Sequence, residues 1–145
     1  MCAGNLCYHV AVRKPKTGNI VILGGRAVVD RAELRTIYTL QSWPGLQSDI
    51  ELLPTRRDKG YKTPDIRMNG LEWEIKNPKG KGKYVISRNL YHASKQSANI
   101  ILDLRRMPGS YKHYLSEIQR EFMNNPRAKR LLVITKAQAI LDFVK

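Results

Sequence analysis

The chain has 145 residues, 42% apolar and 26% charged, a composition that fits one folded domain and excludes a disordered tail. Its 26 Lys and Arg against 12 Asp and Glu leave a net charge of +14. That excess points to a polyanionic partner, nucleic acid before membrane, because no strongly amphipathic basic helix stands out. No apolar run approaches the roughly 18 residues of a membrane span. The opening residues lack the basic-then-apolar pattern of a signal peptide. The two cysteines, Cys2 and Cys7, cannot build a disulfide framework. The expectation is a single domain over 1–145 with no membrane partner and a cytoplasmic site of action; delivery into other cells is not visible in this chain.

Two β-prone runs, 7–12 and 19–23, flank the turn-rich segment 13–18, which predicts a hairpin. Asp30 is placed to cap a helix over 31–42, with Leu34, Ile37, Tyr38 and Gln41 at helical spacing, and Pro44-Gly45 ends it. A short strand over 49–53 stops at Pro54, and 56–62 reads as a polar loop. Segments 64–68 and 71–76 flank Asn69-Gly70, whose tolerance of positive φ makes it the strongest hairpin signal in the chain. A basic loop over 77–83 follows. Ser87 can cap a helix to about 98 with Leu90, Ala93 and Ser97 on one face. Segment 100–104 reads as a buried strand, and Pro108-Gly109-Ser110 opens a third helix to 123 with Tyr114, Ile118 and Phe122 aligned. Strands over 130–135 and 139–143 close the chain. Tyr8, Trp43 and Phe122 are assigned to the core. Strands alternating with helices predict an α/β (or α+β) class with a central mixed β-sheet flanked by helices.

Along a strand, alternate side chains share a face, so Glu72, Glu74 and Lys76 lie together opposite Leu71, Trp73 and Ile75. The tight hairpin brings Asp65 alongside, so Asp65, Glu74 and Lys76 can converge at one end of the sheet. Two carboxylates there can hold a hard divalent cation, Mg2+ or Mn2+. An adjacent ammonium can position or deprotonate a water, or offset charge on a phosphodiester. On spacing alone, an ordinary Glu–Lys pair on a strand face is the better explanation, because Glu-x-Lys is common.

Pro64-Asp65, then Glu74-Ile75-Lys76, resembles the PD-(D/E)xK motif of restriction-endonuclease-like nucleases. Taken with Asn69-Gly70, Asn77-Pro78-Lys79, Ile86-Ser87-Arg88-Asn89, Ala93-Ser94-Lys95-Gln96 and Asn99-Ile100-Ile101-Leu102-Asp103-Leu104, the segment 50–103 resembles the C-terminal tRNase domain of contact-dependent growth-inhibition toxins. The resemblance implies a restriction-endonuclease-like fold, Asp65 and Glu74 as metal ligands, Lys76 as the catalytic lysine, tRNA as substrate and a cognate immunity protein as partner. It also implies an upstream acid, for which Glu33 and Glu51 both remain open.

Arg88, His92, Lys95 and Asn99 share one face of the helix predicted from Ser87, with Asn89 and Gln96 beside them. Gln96 and His92 are therefore added as candidate catalytic groups. Lys79, Lys81, Lys83, Arg88 and Lys95 are added as nucleic-acid contacts, the loop lysines being able to follow a phosphate backbone without reading sequence. Asp103 can reach the site from the next strand, cap a turn or pair with an arginine. Tyr61 and Tyr84 flank the site and can stack on a base. Cys2, Cys7 and His9 lack a fourth zinc ligand and the spacing of a closed structural site. Gly24-Gly25 lacks a phosphate-binding fingerprint.

These residues predict a metal-dependent nuclease, for which the resemblance alone implies RNA, with a DNA endonuclease of the same fold and a non-catalytic nucleic-acid-binding module as alternatives. In either nucleic-acid reading, the affinity measured on tRNA and plasmid DNA should fall steeply with rising salt, since each neutralised phosphate releases counterions. A flat salt response would remove nucleic acid as the partner.

Overall fold

Two uninterrupted apolar runs set the centre of the molecule, because strands buried on both faces carry no polar alternation. They are Asn99–Asp103 and Arg130–Ile134, each buried at every position after its first. The computed structural model describes residues 2–3, 6–11, 18–24, 29–55, 60 and 63–145. In chain order the elements are β1 (Cys2–Ala3), β2 (Leu6–Ala11), β3 (Ile20–Ile22), α1 (Arg31–Leu40), β4 (Ile50–Leu52), β5 (Ile66–Met68), β6 (Leu71–Lys76), α2 (Val85–Ser94), β7 (Asn99–Asp103), α3 (Leu115–Asn124), β8 (Arg130–Ile134) and β9 (Ile140–Val144).

Among the described residues the strands form one sheet in the order β1-β2-β9-β8-β7-β6-β5-β4-β3. Strands β6, β7 and β8 run parallel, as do β3 and β4, and the other neighbours are antiparallel. The expected mixed sheet flanked by helices is therefore present. Alternate residues of the central strands feed two cores. Ile100, Leu102, Leu131 and Val133 pack with Leu90 of α2 and with Ile118 and Phe122 of α3. Ile101 and Leu132 pack on the other side with Ile37 and Leu40 of α1, Trp43, Ile66 and Trp73. Tyr8, Trp43 and Phe122 are buried, as their assignment to the core requires.

The hairpin expected over 7–23 does not form. Strand β2 pairs with β9, and β3 pairs in parallel with β4 at the opposite edge. The turn residues signal a reversal but carry no information about which distant strand offers a free edge, and 12–17 lie outside the described residues. Helix α1 is two residues shorter than expected and turns Thr36, Ile37, Thr39 and Leu40 inward, leaving Tyr38 exposed. Asp30 occupies its cap position in extended backbone without a side-chain bond.

Helix α2 starts at Val85 rather than after Ser87, whose hydroxyl donates to Tyr84 O at 3.2 Å. It stops at Ser94, so Asn99 belongs to β7 and not to the helical face assigned to it. The third helix is split: Ser110 caps a short 3-10 turn at Tyr111–His113, and α3 begins at Leu115. No helix among the described residues is long and apolar enough to cross a membrane.

Asn69 and Gly70 have φ of 54° and 73°, the signature of a type I′ turn. The Asn69 side-chain amide also donates to Gly45 O and accepts from Gln47 N, both at 2.7 Å, which ties the turn to the segment after α1. The turn sets the register Met68↔Leu71, Arg67↔Glu72 and Ile66↔Trp73. Trp73 is fully buried, and its indole Nε1 donates to Met68 O at 3.0 Å. Trp73→Ala should cost about 3–5 kcal/mol, read as a lower urea midpoint. An unchanged midpoint would mean that the ring does not hold this core together.

Candidate active site

Past the last pair of β5, Ile66↔Trp73, Asp65 N also donates to Trp73 O and Leu53 N donates to Asp65 O, both at 3.0 Å, which holds Asp65 beside Glu74. The Asp65 carboxylate accepts from Ile75 N at 2.8 Å. A charge-assisted bond to backbone holds that group in one orientation. Glu74 and Lys76 point to the sheet face that also carries Ile100 and Leu102, beneath α2, while Trp73 and Ile75 enter the opposite core. The predicted alternation holds, although Leu71 at the hairpin end is left exposed.

Glu74 is only 3% exposed. Its Oε1 accepts from Lys76 Nζ and from Gln96 Nε2, each at 2.7 Å. Gln96 reaches it because α2 ends at Ser94 and the chain turns back toward β7. That turn is pinned where Ser97 Oγ and Asn99 Nδ2 donate to Glu72 O at 2.6 and 3.1 Å. Glu74 Oε2 has no hydrogen-bond partner among the described residues.

Burial first and the adjoining Asp65 carboxylate second push the Glu74 carboxyl up from its usual value to about 7, against the opposing pull of Lys76. Burial dominates because little water reaches the group, and two carboxylates side by side resist double ionisation.

Asp65, Glu74, Lys76 and Gln96 are thus brought together. An orphaned carboxylate oxygen facing a second carboxylate fits a hard divalent cation. Among the described residues no group of three His, Cys, Asp or Glu is placed to hold a metal ion, so neither Glu33 nor Glu51 completes such a set. Glu51 is bound by Arg67 at 3.0 Å, and Arg67 also reaches Glu72 at 3.3 Å. A Mg2+ site with two protein carboxylates, its remaining positions left to waters and phosphate oxygens, is a common arrangement for that ion.

His92 is not bonded to this cluster: it lies exposed on α2, its ring 5.4 Å from that of Tyr91. Arg88 and Lys95 share the exposed side, with Lys95 Nζ 4.2 Å over the Tyr91 ring. Lys79, Lys81, Lys83 and Tyr84 are exposed in the loop before α2. Tyr61 lies outside the described residues, as do the side chains of Cys2, Cys7 and His9.

Asp103 faces away from the cluster. It accepts from Thr36 Oγ1 at 2.6 Å and is clasped by Arg105 through Nε and Nη2, so it both caps a turn and pairs with an arginine. No local pattern around Thr36 or Arg105 hints at this network; only packing α1 across the sheet joins residues 67 positions apart in the chain.

The model of the contact-dependent growth inhibition CdiA C-terminal domain family matches residues 62–140, which overlaps the 50–103 segment of the motif-level resemblance from residue 62 and continues past its C-terminal end. A chain of the CdiA-CT/CdiI toxin and immunity complex from Burkholderia pseudomallei has a similar fold. Its TM-score is 0.57 at 19% identity, with 86% of this chain and 99% of that chain covered. No curated protein matches the sequence.

The raised Glu74 pKa has a signed consequence. Between about 4.5 and 7 the unfolded chain releases this proton while the folded chain keeps it, so stability falls as pH rises through that window and then levels. In metal-free buffer, Glu74→Gln should therefore gain on the parent as pH rises from 4.5 to 7, by an amount on the order of 3 kcal/mol. Parallel unfolding curves with a constant offset across that range would show that Glu74 ionises normally.

Proposed function

Since the chain belongs to the contact-dependent growth inhibition CdiA C-terminal domain family, a family of toxin domains, we propose that it is a metal-dependent nuclease of the PD-(D/E)xK type that cuts RNA, with tRNA as the favoured substrate. The observation that carries this reading is the buried Glu74 carboxylate, with one oxygen held by Lys76 and Gln96 and the other unanswered beside Asp65. A structural ion pair has no need of a second acid that raises the pKa of the first.

Asp65 and Glu74 would hold Mg2+ or Mn2+, which when bound supplies Lewis-acid neutralisation of charge on a phosphodiester. Backbone donation from Ile75 orients Asp65, and Gln96 orients Glu74. The Lys76 side chain is 24% exposed, so its ammonium can reach solvent while bonded to Glu74. There it is placed to orient an attacking water or to offset charge developing on the phosphoryl oxygens. Lys79, Lys81 and Lys83 in the loop before α2, with Arg88, His92 and Lys95 on it, are exposed and would contact the RNA backbone. The preference for RNA rests on the family resemblance; charge favours any polyanion. The similar Burkholderia structure is a complex of a toxin with its immunity protein, and the net charge of +14 suits an acidic inhibitor of this kind for the present chain.

Purified protein should cleave total tRNA in Mg2+ or Mn2+, lose that activity in EDTA and regain it on adding metal back, with plasmid DNA assayed in parallel. Glu74→Gln and Lys76→Ala should each fall by at least about a hundredfold in cleavage while remaining folded. Full activity in EDTA, or folded variants that cut like the parent, would overturn the assignment.

A further inference from the structure

A second polar cluster lies at the same end of the sheet but on the opposite face. Asn77 follows Lys76 directly, and β6 and β7 run parallel, so their carboxyl ends, Lys76-Asn77 and Asp103, lie side by side. The loops beyond carboxyl ends of parallel strands are where α/β sheets take ligands. Here a cleft of about 10 Å³ is lined by Arg35 of α1, Asn77, Asp103, Arg105 and Arg106. That encloses room for about one water, so a larger anion would sit across its open mouth.

Three arginines and a single carboxylate line this cleft. Asp103 is spent on Arg105, which it grips through Nε at 3.0 Å and Nη2 at 2.6 Å, while Arg105 Nη1 donates to Thr39 Oγ1 at 2.9 Å. A guanidinium carries five N–H groups, so one N–H on each terminal nitrogen of Arg105 has no acceptor among the described residues. Arg105 is half-buried and held rigid. Arg35 and Arg106 are exposed, and neither has an ion-pair partner among the described residues. Crowded, unneutralised guanidinium groups around an immobilised one form a fork suited to phosphate oxygens.

We propose that this cleft is a phosphate subsite, in which Arg35, Arg105 and Arg106 grip a backbone phosphate of RNA flanking the scissile one. The proposal rests on the nuclease reading for its substrate. A strand whose reacting phosphate lies at Lys76 crosses the end of β6, and its neighbouring phosphate reaches the arginines on the α1 side. The subsite supplies affinity and register without sequence information.

The test is tRNA binding in EDTA across a salt series, with the Arg35→Ala/Arg106→Ala double variant beside the parent. A charge-matched control, Lys129→Ala/Lys145→Ala, removes two exposed cations at the opposite end of the sheet. The subsite variant should bind about tenfold more weakly at low salt, with its log–log salt slope shallower by about 0.7, the value for one phosphate lost on single-stranded nucleic acid. The control should follow the parent. In Mg2+ the subsite variant should raise KM with kcat little changed. Equal affinity and slope in the subsite variant and the control, from a parent that cuts tRNA and is silenced by Glu74→Gln, would overturn the subsite and leave the nuclease reading intact. A parent that neither binds nor cuts tRNA would overturn both.

Discussion

The constraint on which this molecule turns is the burial of one carboxylate against another. Strand pairing across the Asn69-Gly70 turn brings Asp65 beside Glu74, and α2 then covers the Glu74 side of the sheet. Burying a charge is costly unless it is paired, and here pairing is incomplete: Lys76 and Gln96 satisfy Oε1, while Oε2 has no hydrogen-bond partner among the described residues. Packing for stability alone would place an apolar residue at position 74, as it does at 73 and 75. A polar group that conflicts with its local environment is the expected mark of a functional position.

The same sheet end carries the second charge cluster with reversed sign. On the α2 face, Asp65 and Glu74 outnumber Lys76; on the α1 face, Arg35, Arg105 and Arg106 outnumber Asp103. Both exist because β6 and β7 are parallel and end together, so that consecutive residues Lys76 and Asn77 open onto opposite sides of one edge. The overall excess of cations surrounds this small acidic centre, and a basic surface raises the local concentration of a polyanion before any specific contact forms.

Rigidity comes from the same interactions. Asp103 links α1, through Thr36, to the segment after β7, through Arg105. Asn69 links the hairpin turn to the segment after α1. The site is therefore held by strands and buried polar bonds, which positions reacting groups more closely than loops would.

The amino-acid sequence by itself determined the elements that depend on short-range chemistry. Asn69-Gly70 specifies its turn because both residues accept positive φ, and that turn fixes which side chains of 71–76 share a face. The apolar runs at 99–103 and 130–134 announce strands covered on both sides. What only the tertiary structure decided is whatever depends on partners far apart in the chain. The fate of β2 and β3, sent to opposite edges, was set by which strands offered unpaired backbone, not by the turn between them. Gln96 became a partner of Glu74, and His92 did not, because α2 ended four residues before its periodicity did. Asp103 turned from the acidic cluster to Arg105 because a strand alternates its side chains, and α1, packed on that face, supplied the hydroxyl that receives it. Periodicity and turn propensity act over a few residues; burial, pKa and ion pairing are properties of the assembled neighbourhood.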